Sequence, residues 1–461
     1  MSETMNDIAL RPPSTPGVAW RGWGDVFGAA ALASNGVVLW LWISCKGIQK
    51  LDVDPLATLV LPAGLLASNL MLLQVLMLAR IPIIERTWGF DLLARRHRLA
   101  GFASFWLMVV HVVLTVVVYL KSGGWEKLWW VITDLPGMLM AVVGTALIIV
   151  AVALSIRKAR RRLRYESWHL IHLYTYLGMG LALPHQIWVG PDFRETAWAR
   201  AYWWTLYAAA AVAVLVFRVA LPLWRSWRHR LRVLEVIPES PGVVSVLVGG
   251  KNLERLPLRA GQFFSWRFLD GPGWSRAHPY SVSIAPRSAF LRVTIQDVGD
   301  GSARAATLKA GTRVLVEGPY GRLTAERRTK DKLVFIAAGA GITPIRALLE
   351  EMPYGRGDAT LIYRVSDPAD SLFRDELTEL AEQRGLKVHL LSGPRRDDTS
   401  WLPPSVSSAT SDSELLALLA PDIDQSDVYL CGPPQWMDRV HDSAIEAGVP
   451  SARLHSEEFT W

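Results

Sequence analysis

Six stretches of about twenty apolar residues fill the first half of this chain, near residues 26–43, 56–78, 99–120, 137–156, 168–189 and 202–223. About twenty residues of helix cover the ~30 Å of hydrocarbon in a bilayer. Inside lipid no water is available to backbone amides and carbonyls, so spanning segments must close their own hydrogen bonds. The expectation is a membrane all-α bundle of six helices. The chain is 461 residues long with 51% apolar content and 21 tryptophans, and its more polar second half calls for soluble domains as well.

Into that apolar setting fall two pairs of histidines, His97 with His111 and His172 with His185. Ionisable side chains are costly at membrane depth, and those found there are usually ligands or relays. Fourteen residues of helix advance about 21 Å and return to within about 40° of the same face, so His97 and His111 would hold two objects stacked across the bilayer. Thirteen residues would leave His185 about 140° from His172 on an ideal helix. Pro184, with Gly178 and Gly180 upstream, supplies a kink that re-aims the following turn. Facing pairs then make two bis-imidazole sites, and haem suits axial imidazoles inside a bundle. His169 competes with His172, because it lies one turn earlier on much the same face; spacing alone leaves both open.

Charge placement sets the orientation. Arg80, Arg86, Arg95, Arg96 and Arg98 follow the second stretch, a run from Arg157 to Arg164 follows the fourth, and Arg225, Arg228, Arg230 and Arg232 follow the sixth. Basic residues in short loops mark the cytoplasmic side, so a multi-pass protein of the cell (inner) membrane with both termini cytoplasmic is expected, and the basic runs call for no nucleic acid. Residues 1–19 form a polar, proline-containing tail without the features of a secretory signal, expected to be a disordered cytoplasmic segment. Only Cys45 and Cys431 are present, too few for an iron–sulfur cluster, which takes four ligands.

After about residue 229 the pattern turns to short β-rich segments such as VVSVLVGG, GQFFSWRF and AFLRVTIQ, which predict an antiparallel barrel over 229–328. From 329 to 461 buried strands alternate with helical segments, predicting a doubly wound α/β nucleotide domain after the six-span domain of 20–228. Its sharpest signal is the turn containing Gly339, Gly341, Thr343 and Pro344. Glycines admit a close pyrophosphate, Thr343 suits a helix cap and Pro344 its first position. Arg364 and Ser366 follow the second strand, where a nucleotide 2′-phosphate would lie, with Arg395 and Arg396 further on and Asp367 as the contrary sign. In the barrel, His278-Pro279-Tyr280-Ser281 offers an aromatic ring and a hydroxyl, and Gly301-Ser302 opens a helix able to take phosphate.

Together these residues resemble the NADPH oxidase and ferric reductase superfamily, a six-helix haem domain followed by a ferredoxin-NADP reductase-like dehydrogenase. The resemblance rests on the paired histidine spacings, Tyr165-Glu166 before the fifth stretch, HPYS at 278, GPYG at 318 and Cys431-Gly432-Pro433. It implies that His97 and His172 hold an inner haem b, and His111 and His185 an outer one. It implies FAD against Tyr280 and Ser281, NADPH (or NADH) with its nicotinamide at Cys431, and Trp461 stacked on the flavin. Thr115 stands where animal oxidases carry a further histidine, Gln296 where relatives often have a basic residue, and Gly178 where some place an aromatic. The expected activity is transmembrane electron transfer to O2, giving superoxide. Alternatives are a ferric chelate or a periplasmic acceptor protein, and, from another class, a haem-containing transporter or sensor with a nucleotide-binding tail.

Overall fold

A computed structural model describes residues 23–44, 54–156, 165–194, 196–271, 276–286, 289–394, 400–404 and 411–458. The chain divides into a helical unit, Gly22–Ile84 with Leu92–Phe217, and a sheet unit that includes Glu85–Asp91 and Arg218–Trp461. The N-terminal tail, Cys45, the basic run after Ser155, Arg395, Arg396 and Trp461 lie outside the described residues.

The helices of the first half are α1 (Trp23–Ser44), α2 (Pro55–Leu78), α3 (Pro82–Trp88), α4 (Phe90–Asp134), α5 (Met138–Ser155), α6 (Tyr165–Val189) and α7 (Ala197–Ala213), which runs through a π-helical turn, Val214–Ala220, into α8 (Leu221–His229), a helix that falls in the sheet unit. α2 starts where its sequence says a helix can: Asp54 accepts a hydrogen bond from the Ala57 amide at 3.1 Å, and Pro55 takes the first position. α4 is interrupted at Gly123 and Gly124, the latter at φ +63°. α5 and α6 pack backbone to backbone, since a Cβ on Gly178 would fall 2.7 Å from the Gly144 carbonyl oxygen. Small residues at such a crossing are how helices associate without a hydrophobic drive in lipid. Leu99 and Phe102 on α4 are each 68% exposed, a face suited to acyl chains.

Among the described residues, five segments are long and apolar enough to cross a membrane: Trp23–Ser44, Pro55–Leu78, Leu92–Asp134, Met138–Ser155 and Ala197–His229. The expected six thus become five by apolarity. α6 has the length, 25 residues, but its three histidines, Tyr174, Tyr176 and Gln186 dilute its hydropathy.

The sheet unit opens with two three-stranded antiparallel sheets rather than one closed barrel. β1 (Arg232–Ser240), β2 (Val243–Gly249) and β5 (Leu291–Gln296) form one; β4 (His278–Ser281), β3 (Phe263–Phe268) and β6 (Val314–Tyr320) form the other. Single bridges, Val282 to Val293 and Arg232 to Arg313, join them. Between them lies a core that includes Val246, Phe264, Trp266 and Val293, each fully buried, so the inward alternation seen in the sequence is satisfied without full closure. A five-stranded parallel sheet follows, in the order β11 (Leu454–Glu458), β10 (Asp427–Gly432), β7 (Leu333–Ala338), β8 (Ala359–Val365), β9 (Lys387–Ser392). Helices α9 (Ile342–Glu351), α10 (Arg374–Arg384), α11 (Asp412–Leu419) and α12 (Pro434–Glu446) accompany it. The chain leaves β7 toward β8 and β9, then returns to place β10 on the opposite side. Strand order therefore reverses between β7 and β10, and such a reversal opens the ligand crevice of an open α/β sheet.

Candidate functional site

In the helical unit the rings of His97 and His172 face each other, centroids 6.2 Å apart at 72°. Two imidazoles on one metal ion, with bonds of about 2.0 Å and about 1.1 Å from each nitrogen to its ring centre, put the centroids about 6.2 Å apart. His169 is turned toward Trp168, at 6.4 Å, and is not the ring facing His97. Among the described residues no group of three or more His, Cys, Asp or Glu converges, so ligation here would be by histidine pairs.

The second nitrogen of each ring decides whether the pair fits a metal. Nδ1 of His97 lies 3.3 Å from the Gln74 carbonyl, and Nδ1 of His111 lies 2.8 Å from the Val60 carbonyl. A carbonyl only accepts, so both Nδ1 atoms carry the proton and both Nε2 lone pairs are free to ligate. Nδ1 of His172 is 3.4 Å from the Ser155 hydroxyl, which spends its own proton on the Ala151 carbonyl at 2.7 Å and also accepts from the Trp168 indole at 3.0 Å. His172 Nδ1 is therefore a donor too. His185 Nδ1 is buried without a hydrogen bond of ordinary geometry, and His185 is near enough to His111 to interact electrostatically. Gly64 makes room for His111, because a Cβ there would sit 2.7 Å from Nδ1. Phe105 packs inward beside Met108 and Ile148 while Trp106 is half exposed, and Gly178 is spent on the α5 crossing.

In the sheet unit the two nucleotide motifs meet at the reversal point. A Cβ on Gly341 would lie 2.6 Å from the Cys431 carbonyl carbon and 2.9 Å from the Gly432 nitrogen. Gly339 sits at φ +52° with nothing near its missing side chain, so the turn presents bare backbone to the crevice. Thr343 does not cap the helix as expected. A 3-10 turn, Gly339–Gly341, precedes α9, which moves the cap to Gly341 and leaves the Thr343 hydroxyl donating to the Ala340 carbonyl at 2.9 Å, with Pro344 third in the helix. Cys431 is wholly buried, its sulfur 3.7 Å from the Glu457 carbonyl. Burial, then the Glu457 charge, pushes its thiol well up, so it stays a neutral thiol. Gly432 donates to the Met437 sulfur at 3.1 Å, and Pro433 precedes α12.

Arg364 is buried, and its guanidinium donates to the carbonyls of Val365, Pro394 (2.8 Å) and Leu391 (3.5 Å). It is engaged in binding the ends of β8 and β9 together. Ser366 is exposed just past β8, and the Asp367 side chain takes the Ala369 amide at 2.8 Å.

Three more of the predicted residues, His278, Tyr280 and Gly301, line an open cleft in the antiparallel part, with Arg276 and Arg304 also in its walls. The His278 and Tyr280 rings stack at 6.0 Å and 18°. Any side chain at Gly301 would enter the His278 ring. Burial, with a smaller contribution from Asp297, pushes the Tyr280 phenol up to about 12, so it remains a hydrogen-bond donor at neutral pH. Arg304 pairs with Asp270 at 2.9 Å. Pro279 stands opposite Ser265 on β3, and Ser281 is buried at the end of β4. The Ser302 hydroxyl closes its own loop, accepting from Val298 and donating to the Gly299 carbonyl, both at 2.8 Å. Two arginines thus stand in the cleft where Gln296, exposed at the end of β5, offers no charge.

Several contributors escaped the sequence reading. Ser155, Val60, Gln74 and Gly64 support the histidines, and Glu457 accepts the amides of Arg322 (2.9 Å) and Leu323 (3.3 Å), tying the last strand to the chain after GPYG. The one readable trace was Gly64, a glycine inside an apolar helix.

Known proteins agree with this division. Residues 63–183 match the family of ferric reductase like transmembrane components, and residues 335–442 match the oxidoreductase NAD-binding domain. A ferric reductase-like transmembrane match followed by a nucleotide-binding match is the order found in the NADPH oxidase and ferric reductase superfamily, which the chain resembles. It thus joins a segment similar to ferric reductase transmembrane components to one similar to oxidoreductase NAD-binding domains. Among curated relatives it is 29% identical over 236 residues to the ferredoxin reductase component of 3-ketosteroid-9-alpha-monooxygenase from Rhodococcus rhodochrous, covering 50% of this chain and 64% of that one. It is also 29% identical over 233 residues to a stachydrine N-demethylase reductase subunit from Rhizobium meliloti, covering 48% and 64%. The chain thus spans just under two thirds of the length of these relatives. Similar solved structures include the FAD/NAD-binding domain of a nitric oxide dioxygenase from Vibrio cholerae (TM-score 0.42, 25% identity, 50% of this chain and 99% of that one). Another is a ferredoxin NADP+ reductase from Neisseria gonorrhoeae (TM-score 0.41, 22% identity, 50% and 98%).

Proposed function

We propose that this protein is a flavocytochrome b of the cell membrane that carries electrons from cytoplasmic NAD(P)H, by way of FAD and two haems b, to a one-electron acceptor on the outer side, O2 giving superoxide. The observation that carries the reading is the His97–His172 pair: ring spacing fitted to a shared metal ion, with both Nδ1 protons spent on acceptors in the protein. When bound, FAD takes a hydride from NAD(P)H, leaving NAD(P)+, and gives up electrons singly, while haem iron carries one electron at a time. The chain's own part is holding and shielding. His97 and His172 would hold the inner haem, and His111 and His185 the outer, each through Nε2. His278, Tyr280 and Ser281 with Arg276 and Arg304 would hold the flavin, and the Gly339–Gly341 turn with Gly432 and Pro433 the nucleotide. Cys431, neutral and buried, would shape the nicotinamide floor, and Trp461 would cover the flavin. Six helices would span the bilayer, α6 among them, with both termini on the cytoplasmic side where the arginine clusters lie. Because Arg364 is engaged with carbonyls, the reading covers NADH and NADPH alike.

In sealed inside-out vesicles given NADPH and FAD, superoxide is expected in the lumen. Turnover that under air depends strictly on added ferric chelate would reject the oxidase reading in favour of a ferric reductase. The relatives named as reductase components of oxygenases favour a protein acceptor as the second reading. Reduction of added cytochrome c that survives superoxide dismutase would support it.

A further inference from the structure

Helix α9 begins at the nucleotide turn and ends on the antiparallel sheets, and its last turn carries the wrong charge for a helix. Glu350 and Glu351 stand at the C-terminal end, with no basic residue in that turn, although the helix dipole there disfavours anions. Both carboxylates reach across to backbone amides of the antiparallel part. Glu350 Oε2 accepts from Ala285 at 2.9 Å, four residues after Ser281 on the flavin strand, and Glu351 Oε2 accepts from Ala260 at 3.1 Å.

A partly buried ionic chain braces the same end. Arg346 pairs with Glu350 within the helix, and its Nε lies 2.6 Å from Glu376 Oε2 on α10. Glu376 in turn takes both arms of Arg292 from β5, at 2.6 and 2.9 Å. Arg292 also donates to the Ser283 hydroxyl (3.1 Å) and carbonyl (3.0 Å) and lies over the Phe373 ring at 4.7 Å. Arg384 donates to the carbonyls of Leu349, Glu350 and Met352 at the helix end. Burial would push the Glu376 carboxyl up, but the two arginines outweigh it and hold it below its ordinary range, so Glu376 is ionised at neutral pH. A planar fork gripping a carboxylate bidentately fixes direction as well as distance.

We propose that α9 is a spacer of fixed length between the nucleotide turn and the flavin strand, and that Glu376 and Glu350 are positioning residues which set the approach of the nicotinamide to the flavin. The inference deepens the proposed NAD(P)H-to-FAD step and rests on it. Ten residues of helix give a rod of about 15 Å. One end is the Gly339–Gly341 turn, and the other is clamped to the segment that continues β4. A rod held at both ends transmits a shift at the ion pairs directly to the hydride distance.

The test uses the full-length, FAD-loaded protein with ferricyanide as acceptor, comparing parent, Glu376→Gln and Glu350→Gln, with Arg292→Lys as the conservative variant. Both Gln variants are expected to lower kcat by about tenfold or more, with KM for NAD(P)H within about twofold, since misplacement of about 1 Å can cost that much. The kinetic isotope effect with 4-deuterated nucleotide should rise as hydride transfer becomes limiting. Independently of turnover, hydrogen exchange at the Ala260 and Ala285 amides should accelerate, and Arg292→Lys should fall between. Unchanged kcat and isotope effect in variants that fold with parental melting temperature would overturn the proposal, as would a rise in KM alone. Should Glu376→Gln not fold, Glu350→Gln decides, because it removes the charge partner of Arg346 while keeping the size of the side chain. A parent that oxidises no NAD(P)H with FAD bound overturns the underlying reading and this proposal together, and is seen before any variant is made.

Discussion

The two glycines of the nucleotide turn should fail for different reasons when substituted. At Gly341 the nearest neighbours of an added Cβ are all backbone: the Cys431 carbonyl oxygen, its carbon at 2.6 Å and the Gly432 nitrogen at 2.9 Å. Ordinary carbon contacts lie at about 3.5–4.0 Å, so the turn or strand β10 must yield by about 1 Å. Overpacking of this kind costs about 1–3 kcal/mol, which for a domain of this size lowers Tm by roughly 2–10 °C. Gly339 has open space but φ +52°, so Gly339→Ala carries only the left-handed strain, about 1–2 kcal/mol, and Gly339→Asn should recover most of it. Thermal unfolding without nucleotide separates the cases: Gly341→Ala and Gly341→Asn both melt low, Gly339→Ala melts moderately low, and Gly339→Asn melts near the parent. Nucleotide binding, followed by titration, should weaken in all four, since the open space at Gly339 is where phosphate would approach. Gly341→Ala with a parental Tm, or Gly339→Asn as unstable as Gly341→Ala, would refute the assignment of steric contact to one position and backbone conformation to the other.

Replacing His172 by Leu should remove about one haem per protein and leave His169→Leu replete, with Ser155→Ala weakening the inner haem by about 10–100-fold through the lost Nδ1 partner; haem content by pyridine haemochrome checks both, and loss in His169→Leu with retention in His172→Leu would reverse the choice. Arg364→Ala should lower Tm while leaving the NADPH to NADH ratio of kcat/KM within about twofold, because its donors are spent on carbonyls; a tenfold fall in that ratio would restore a 2′-phosphate contact. At Asp427, burial would raise the carboxyl, but His455 at 3.0 Å and the Thr329 and Lys330 amides hold it below its usual range. A depressed acid stabilises the fold above its unfolded pKa of about 3.9 and loses that contribution as pH falls toward the folded value, so Asp427→Asn should cost about 1–3 kcal/mol at pH 7 and progressively less below about pH 4; a constant difference between parent and variant across that range would sink the argument.

The legible part of this protein was the part written in residue type. The doubly wound order of the last domain follows from apolar strands alternating with amphipathic helices, and the convergence of Gly339–Gly341 on Cys431 follows from where strand order reverses. Arg364 was readable as a residue near the end of the second strand, while the direction of its side chain, toward the carbonyls beyond β8 and β9, was not. Thr343 misled for a related reason: an intervening 3-10 turn of three residues shifts every cap that follows it. The two antiparallel sheets were expected as one barrel because alternation reports which face is buried and says nothing of whether the last edges pair.

The helical unit shows the limit most clearly. Histidines stand out in apolar sequence because their presence there is expensive, and for the same reason they pull α6 below the apolarity of its neighbours; the residues that point to a function also obscure the span that carries them. Their partners are hidden in a different way. Gln74 and Val60 hold the imidazoles of His97 and His111 through carbonyl oxygens, which every residue possesses, so no residue type could mark those positions. What fixes them is the height of α2 beside α4. Gly64 is the exception, since the backbone can approach the His111 ring only where a side chain is missing. That absence suggests where to look in similar chains for the support of an intramembrane histidine: a glycine on a neighbouring helix, one turn from the carbonyl that takes the Nδ1 proton.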